Sequence, residues 1–204
     1  GIVGEGRVHK GPNRVAGEWG HRPLPWPRLD ETPGNPCWCG QWGCLETYVA
    51  GPSLARDCDG PGAHDAADIP SRAAAGEAKA RAALARHGDR LARGLTQVIN
   101  LLDPDVIVLG GGLSNMDHLY TAIPERLRRY VFSDVVTTRI VKNKHGDSSG
   151  VRGAAWLWPP SSHRPHEMGA LCRDCLLTDS AAFPASVCPR CGGHRIVRHA
   201  ELLT

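Results

Sequence analysis

One histidine and three cysteines within residues 21–44 could together bind a metal ion. They are His21, Cys37, Cys39 and Cys44. The cysteines are too closely spaced to form a set of disulfides, whereas three thiolates and one imidazole complete the tetrahedral coordination of zinc. Gly40 and Gly43 let the backbone turn tightly around an ion because glycine tolerates positive φ. The pattern therefore predicts a structural zinc site without an open coordination position.

Two carboxylates, Glu18 and Glu46, flank the predicted ligands. Zinc already has four protein ligands, so each carboxylate is free to face a polar ligand. A carboxylate accepts hydrogen bonds from hydroxyl groups with the strength of a charge-assisted bond. The alternative is that both are solvated surface charges, the usual state of glutamate. We favour a metal that shapes a binding pocket.

The elements that would position these residues begin with a predicted hairpin of residues 2–3 and 7–8. Residues 9–47 are rich in glycine and proline, and we expect metal binding to order this long loop. A helix is predicted from Ser71, its expected N-cap, with a leucine-rich stripe that ends at Asp103-Pro104. The stripe comprises Leu84, Leu91, Leu95, Val98 and Leu102.

An α/β arrangement is predicted for residues 105–158. Residues 105–109 form a short apolar run, typical of a strand buried on both faces, and Gly110, Gly111 and Gly112 follow it. A helix is predicted over 116–130, a strand over 135–141 and a short helix over 150–158. The alternation of helices and strands indicates an α/β domain. Three glycines at the end of a strand permit close approach of a ligand to the backbone.

Two motifs carry a family resemblance. Gly17-Glu-Trp-Gly-His21 and Cys37-Trp-Cys-Gly-Gln-Trp-Gly-Cys-Leu-Glu46 together resemble the ROK family of repressors and sugar kinases. Pro23-Leu-Pro-Trp-Pro27 and the following Glu46-Thr47 look most like the bacterial fructokinase branch of that family. The resemblance covers roughly residues 1–158 and implies part of an actin-like, ribonuclease-H-like ATPase lobe.

The resemblance also implies roles for individual residues. Glu18 and Glu46 would accept hydrogen bonds from sugar hydroxyls, and His21 would bind zinc through one nitrogen and donate through the other. Gly110, Gly111 and Gly112, with Leu113-Ser-Asn115, resemble the adenosine-phosphate loop of the family. Residues 146–155, including Asp147, resemble its closing segment beside the nucleotide. The implied ligands are zinc, Mg-ATP and a hexose, fructose being favoured, and the implied assembly is a homodimer.

Two motifs of a ROK kinase are not found in these 204 residues. One is an Asp-Gly-Gly-Thr type loop that holds phosphate, and the other is an Asn-Asp pair whose aspartate serves as the catalytic base. We therefore expect an incomplete kinase, with no catalytic residue in the chain and the base upstream of Gly1. We expect no ADP from Mg-ATP and fructose with this chain alone.

The carboxyl-terminal residues predict a second metal site. Residues 159–170 have the composition of a linker, and residues 171–204 hold two Cys-x2-Cys pairs typical of a zinc ribbon. The pairs are Cys172 with Cys175, and Cys188 with Cys191. This tail is similar to a zinc-ribbon extension ahead of some bacterial Y-family DNA polymerases. Nucleic acid is therefore an expected partner only through the ribbon.

Composition excludes several classes of protein. The hydrophobic fraction of 41% and the charged fraction of 22% are typical of a globular domain. A net charge of +3 is too small to indicate nucleic-acid binding by itself. No apolar run approaches the roughly 20 residues of a membrane helix. Clustered cysteines favour a reducing, cytoplasmic location, and Cys58, outside both clusters, is expected to be a free thiol.

Three functions therefore compete. The first is a hexose kinase of the fructokinase type. The second is a sugar-sensing ROK repressor, which would use the same pocket for an inducer. The third is a fusion whose working part is the ribbon, an adaptor for nucleic acid or protein. Pro23-Leu-Pro-Trp-Pro27 favours the kinase, and sugar binding would separate the first two functions from the third.

Overall fold

The computed structural model describes residues 1–146, 148–155, 170–172 and 196–198. Contacts divide the chain into two compact units, Gly1–Gly150 and Val151–Thr204, which are considered separately. The predicted domain limits, 1–158, 159–170 and 171–204, stay predictions. Among the described residues, no helix has both the length and the apolar character needed to cross a membrane.

The first unit combines short strands, three 3-10 turns and a set of helices. The helices are α1 (Glu46–Val49), α2 (Gly51–Asp59), α3 (Ile69–Ala74), α4 (Ala78–Leu102), α5 (Leu119–Leu127) and α6 (Ser149–Ala155), the last of which continues into the second unit. The strands of the first unit are β1 (Val3–Gly4), β2 (Arg7–Val8), β3 (Val106–Leu109) and β4 (Arg139–Lys142). The 3-10 turns are Trp19–His21, Leu29–Glu31 and Gly112–Asn115.

The long helix α4 lies at the centre of the core and packs against α1, α2, α3 and α5. Fully buried apolar side chains from three of these helices, α2, α3 and α5, surround it. They are Leu54, Ile69, Ile123 and Leu127, with Ala80, Ala83 and Ala92 on α4 itself. The helix ends where Asp103 adopts φ 40°, because Pro104 disfavours helical backbone in the residue before it.

Strands β3 and β4 pair in parallel, with Val106 opposite Arg139 and Leu109 opposite Lys142. This pairing places the carboxyl ends of both strands at one edge. Val106 is 38% exposed and Val108 is 56% exposed. The prediction that this strand is buried on both faces is therefore wrong for the described residues, where one face has no covering layer.

Other boundaries differ from the sequence predictions. Ser71 lies inside α3 and its hydroxyl donates to the carbonyl of Asp68, so it is not the N-cap of the long helix. The predicted helix 116–130 is shorter, because turns occupy residues 117–118 and 128–130. The predicted strand 135–141 starts only at Arg139. The hairpin of β1 and β2 is confirmed.

The second unit is described over few residues. Strands β5 (Ala170–Cys172) and β6 (Ile196–Arg198) pair antiparallel, with Cys172 opposite Ile196. Cys175, Cys188 and Cys191 lie outside the described residues, as does Asp147. The zinc ribbon therefore stays a prediction.

Candidate functional site

Two chain segments cross to bring the predicted metal ligands together. The amide of Leu24 donates to the carbonyl of Gly43 at 2.9 Å, and the amide of Leu45 donates to the carbonyl of Arg22 at 2.8 Å. This antiparallel pairing sets the 3-10 turn that ends at His21 beside Cys44. A close approach of Gly34 to Gly43 tightens the loop between them, because a Cβ on Gly34 would lie 2.8 Å from the amide nitrogen of Gly43.

The ligand atoms of the predicted set lie within 4.8 Å of one another, and we call this set the Cys/His cluster (His21, Cys37, Cys39 and Cys44). Nδ1 of His21 lies 3.6 Å from Sγ of Cys37, and the sulfurs of Cys39 and Cys44 are also 3.6 Å apart. Sulfurs bound tetrahedrally to zinc at about 2.3 Å would be separated by about 3.8 Å. The donor types, their number and their spacing thus fit a tetrahedral divalent cation.

The thiols of the cluster differ in acidity. A backbone hydrogen bond from Cys39 lowers the pKa of Cys37, but burial and the nearby Glu46 carboxylate outweigh it and raise that pKa to about 12. A backbone hydrogen bond from Gln41 chiefly lowers the pKa of Cys39 to about 7. Burial raises the pKa of Cys44. A bound divalent cation would favour the thiolate at all three positions.

Glu46 lies at the edge of the cluster, at the first residue of α1. Its Oε1 accepts a hydrogen bond from the thiol of Cys37 at 3.2 Å and lies 3.7 Å from Nδ1 of His21. Gly20 lies against it, since a Cβ there would be 3.5 Å from Cβ of Glu46. Glu46 thus contacts two of the four cluster residues, and its expected role of facing a polar ligand stays a prediction.

Glu18 precedes the 3-10 turn of His21 and is exposed. Within the described residues its side chain has no hydrogen bond or ion pair. The structure thus brings His21 and Glu46 into contact, while Glu18 lies three residues away from His21 with its carboxylate available to solvent.

A buried ion network anchors the same loop to α4, and sequence analysis did not identify it. Glu31 is 6% exposed and accepts hydrogen bonds from Arg90 at 2.7 Å and from Arg93 at 2.9 Å. Arg93 also donates to the carbonyls of Pro25 and Trp26 at 3.0 and 2.8 Å. The loop is therefore ordered by protein contacts as well as by any metal. The signal in the sequence was the i,i+4 pair of Asp89 and Arg93 within the long helix.

Gly94 allows α4 to approach the cluster closely. A Cβ at this position would lie 2.8 Å from Cζ3 of Trp19 and would also overlap the side chain of Leu45. Trp19 and Leu45 are the neighbours in sequence of Glu18 and Glu46, respectively. The position of both glutamates thus depends on the fit against this glycine.

The three glycines after β3 form an exposed turn. Gly111 has φ 78°, and a Cβ on Gly110, Gly111 or Gly112 would meet no atom within 4 Å. Asn143, just after β4, holds this turn at the strand ends: its amide donates to the carbonyl of Leu109 at 3.1 Å and to the hydroxyl of Ser114 at 2.9 Å. Open backbone at the carboxyl ends of parallel strands is a common place for a ligand to bind.

A cleft of about 1070 Å³ lies beside this turn. Of the three glycines, Gly112 lines it. Other lining residues are Gly51, Pro52, Ser71, Leu84, Leu113 and His118. Cofactor pockets are of roughly 300–1,000 Å³, so a nucleotide is of suitable size. Sequence analysis missed the contributions of α2 and α3, because α2 was not predicted and α3 was merged into the long helix.

Comparison with known proteins assigns the chain to a family. Residues 1–161 match the ROK family. An N-acetyl-D-glucosamine kinase of Yersinia pseudotuberculosis is 40% identical over 163 residues, which cover 77% of this chain and 54% of that protein. The chain thus spans about half the length of the curated relatives it matches.

Solved structures agree with this assignment. A ROK hexokinase from Thermus thermophilus is 31% identical with a TM-score of 0.61, covering 74% of this chain and 49% of that one. A ROK family glucokinase from Streptomyces griseus, in complex with glucose and AMPPNP, is 24% identical with a TM-score of 0.64, covering 74% of this chain and 54% of that one. The fold is the α/β, actin-like fold of ROK sugar kinases, and the chain belongs to the ROK family.

Proposed function

We propose that this chain supplies the sugar-binding and nucleotide-binding residues of an ATP-dependent hexose kinase. The observation that carries this proposal is the short segment from Glu46 to Pro52. It begins at the Cys/His cluster with a carboxylate suited to sugar hydroxyls and ends at the cleft beside the glycine turn. The named relatives are kinases of sugars, which supports the same reading.

In this proposal the Cys/His cluster binds zinc and sets the shape of the sugar pocket. Zinc there has four protein ligands and supplies a structural cross-link between the two crossing segments, with no open position for a water molecule. Glu18 and Glu46 accept sugar hydroxyls, and His21 donates from the nitrogen that faces away from the ion. A site built from such hydrogen bonds strongly rejects sugars that lack the matching hydroxyl.

Mg-ATP is the proposed second ligand. Backbone amides of Gly110, Gly111 and Gly112 would approach its phosphates or ribose, and the cleft beside them would accept the adenosine. Asn143 keeps the glycine turn open by fixing Ser114 and the end of β3. Phosphoryl transfer depends mainly on such positioning and on stabilisation of charge.

N-acetyl-D-glucosamine is the hexose that we favour. Support comes from the identity of 40% to kinases named for that sugar, over most of this chain. The expectation of fructose depends only on the resemblance of two short segments, Pro23–Pro27 and Glu46-Thr47, so fructose becomes the second candidate. Both sugars offer several hydroxyls to a pair of carboxylates, and direct binding distinguishes them.

The test is titration calorimetry of the zinc-loaded chain with N-acetyl-D-glucosamine and with fructose. We expect binding of the first sugar, and a loss of affinity of about 10- to 100-fold in Glu46→Gln, because a hydrogen bond to a charged group contributes about 1.5–3 kcal/mol. The exposed residue Glu125 provides a matched control, and Glu125→Gln should bind normally. Absence of sugar binding by the unmodified chain would contradict the proposal.

Nucleotide binding separates the kinase from the alternative of a sugar-sensing regulator, which shares the sugar pocket. We expect ATP analogues to protect the chain from thermal unfolding. Homodimerisation and a cytoplasmic location remain predictions. The same holds for a ribbon that contacts nucleic acid or protein.

A further inference from the structure

We propose that Trp38 forms an aromatic wall of the sugar site and packs against the C–H face of the bound hexose. This inference depends on the proposed sugar site. Trp38 lies between Cys37 and Cys39 in the sequence, and it is not itself a ligand of the cluster. The two features that carry the inference are its contact with His21 and its exposure.

The indole ring is held directly against His21. The ring centroids are 4.9 Å apart and the ring planes make an angle of 84°, an edge-to-face contact. His21 contributes Nδ1 to the Cys/His cluster, close to Oε1 of Glu46. Any sugar that hydrogen-bonds to His21 and Glu46 must therefore lie within reach of this indole.

Most of the indole surface is nevertheless open. Trp38 is 84% exposed, although it lies beside buried Cys37. A single exposed aromatic side chain is common on a protein surface, so the position of this one, in contact with a residue of the proposed sugar site, is what matters. Here the ring has one edge-to-face neighbour and a wide uncovered surface, the arrangement expected of a pocket wall before its ligand arrives.

The backbone keeps this ring in place. The amide of Gly40 donates to the carbonyl of Cys37 at 3.0 Å, and the amide of Cys37 donates to the carbonyl of Gln41 at 2.9 Å. Trp38 thus lies in a tight turn whose two flanking cysteines belong to the cluster. A pre-organised aromatic group loses little freedom on binding, so more of its contact energy contributes to affinity.

The chemistry of hexoses suits such a wall. A sugar ring presents hydroxyls at its rim, for Glu18, Glu46 and His21, and C–H groups on its faces. The face of an indole carries partial negative charge and attracts the positive edges of C–H bonds. Carboxylates at the rim and an indole on one face would hold the same sugar without competing for the same atoms.

Trp42 provides a matched control on the same loop. It is also exposed, at 61%, and its backbone forms a bridge with Pro36. Among the described residues it makes no ring contact with His21. If exposed indoles contribute only to solubility or to folding of the loop, replacing either tryptophan should have a similar effect. If Trp38 contacts the sugar, only its replacement should weaken sugar binding.

The experiment is calorimetry with N-acetyl-D-glucosamine on the zinc-loaded full chain and on W38A, W38F, W42A and W42F. We expect W38A to weaken binding about tenfold, an effect of the size of one aromatic contact. W38F should recover most of the affinity, and W42A should bind as the unmodified chain does. Sugar should change the indole fluorescence of the unmodified chain and of W42F, and that change should be largely lost in W38F.

Zinc content and thermal unfolding are measured on every variant, since a merely structural role of Trp38 would alter them. Normal sugar affinity in W38A would contradict the proposal that Trp38 contacts the sugar. Weaker binding that is explained by a loss of zinc from W38A would contradict it as well. If the unmodified chain binds no hexose, the proposed function fails and this inference fails with it. If the unmodified chain binds the sugar and W38A binds it equally well, this inference alone fails.

Discussion

At the scale of single residues, the Cys/His cluster consists of one imidazole nitrogen and three sulfurs, which separate turns bring within 4.8 Å of one another. Spacing in the sequence was sufficient to predict this set, because thiols two and five residues apart can face a common centre and one imidazole completes it. The contact between Glu46 and Cys37 was not predictable, since it depends on how α1 begins beside the turn.

The first prediction concerns a cluster ligand. Replacement of Cys39 by serine should lower bound zinc by one equivalent per chain, because a hydroxyl is a much poorer zinc ligand than a thiolate. Metal analysis after gel filtration provides the measurement. Cys58, a buried free thiol outside the cluster, is the control, and Cys58→Ser should retain zinc. An unchanged zinc content in Cys39→Ser would show that the four residues do not hold the ion.

A second prediction concerns the acidity of Glu31. Burial alone would raise its pKa, but hydrogen bonds from Arg93, the backbone amide of Arg28 and Arg90 outweigh this and lower it to about 2. Because the folded-state pKa lies below the unfolded value, the carboxylate stabilises the fold above pH 4.5. This contribution is lost as the pH falls from about 5 toward 2.

Glu31→Gln should therefore lower the free energy of unfolding at pH 7 by about 3–5 kcal/mol, since it removes the buried anion that Arg90 and Arg93 share and leaves them only the longer ion pairs with Asp57 and Asp89. Urea unfolding at pH 7 and pH 3 measures the difference, which should narrow at the lower pH. The exposed Glu125→Gln serves as the control. A difference that stays constant with pH would contradict the assignment to ionisation of Glu31.

At the scale of elements, α4 organises the site. The sequence predicted its carboxyl end well, because Asp103-Pro104 is a strong stop signal, and Leu91 and Leu95 are buried as the stripe requires. Leu102 is 51% exposed, against expectation. The middle of the helix is buried on all sides, including His87, Asp89, Arg90 and Arg93, and no period of apolar residues can reveal such polar contacts.

The short helices α1 and α2 were missed for a different reason. They follow the last cluster cysteine and include Gly51-Pro52, which from sequence alone are typical of a turn. Proline is well accepted in the first turn of a helix, and here it starts α2. Tertiary contacts, such as the hydrogen bond from Nε2 of His87 to the carbonyl of Val49, hold these helices against α4.

The third prediction tests the close approach at Gly94. Gly94→Ala should destabilise the first unit, because overpacking against Trp19 and Leu45 costs about 1–3 kcal/mol and exceeds the ~1 kcal/mol gained in helix propensity. Gly88→Ala on the same helix is the matched control. Its Cβ would lie 3.7 Å from Arg126, an ordinary contact, so it should be neutral or stabilising.

Thermal unfolding and sugar affinity measure the outcome. In Gly94→Ala both should decrease, since Trp19 and Leu45 adjoin the two glutamates proposed to bind the sugar. Equal stability of the two alanine variants would mean that the side chains around Gly94 relax freely, and that the fit against α4 does not position the site.

A fourth prediction concerns the glycine turn. Asn143→Ala removes two hydrogen bonds that hold the turn to β3, and we expect about tenfold weaker nucleotide binding from a loss of about 1–2 kcal/mol. Sugar affinity and zinc content should stay unchanged. Asn100, which accepts a hydrogen bond from the amide of Phe132 outside the cleft, is the control. A loss of nucleotide affinity in Asn100→Ala of the same size would indicate general destabilisation.

At the scale of the whole molecule, the two proposed ligand sites lie at opposite ends of the short segment from Glu46 to Pro52. A sugar held by Glu46 and a nucleotide in the cleft would therefore both contact the pair of helices α1 and α2 and could both affect their conformation. Binding of one ligand should change the affinity for the other, and by thermodynamic linkage the two changes must be equal. The uncovered face of β3 is a second feature at this scale. Parallel strands are usually covered on both faces, whereas Val106 and Val108 of β3 are exposed.

Binding and turnover should nevertheless separate in this chain. Within the described residues, no aspartate forms a hydrogen bond or an ion pair with His21 or Glu46. Sugar binding needs only the hydrogen-bonding groups, whereas phosphoryl transfer also needs a base in line with the γ-phosphate. We therefore expect the zinc-loaded chain to bind N-acetyl-D-glucosamine and an ATP analogue without releasing ADP above background from Mg-ATP. A coupled ADP assay at saturating sugar measures this. Turnover that Glu46→Gln abolishes would instead make Glu46 the base and would place the whole reaction in these 204 residues.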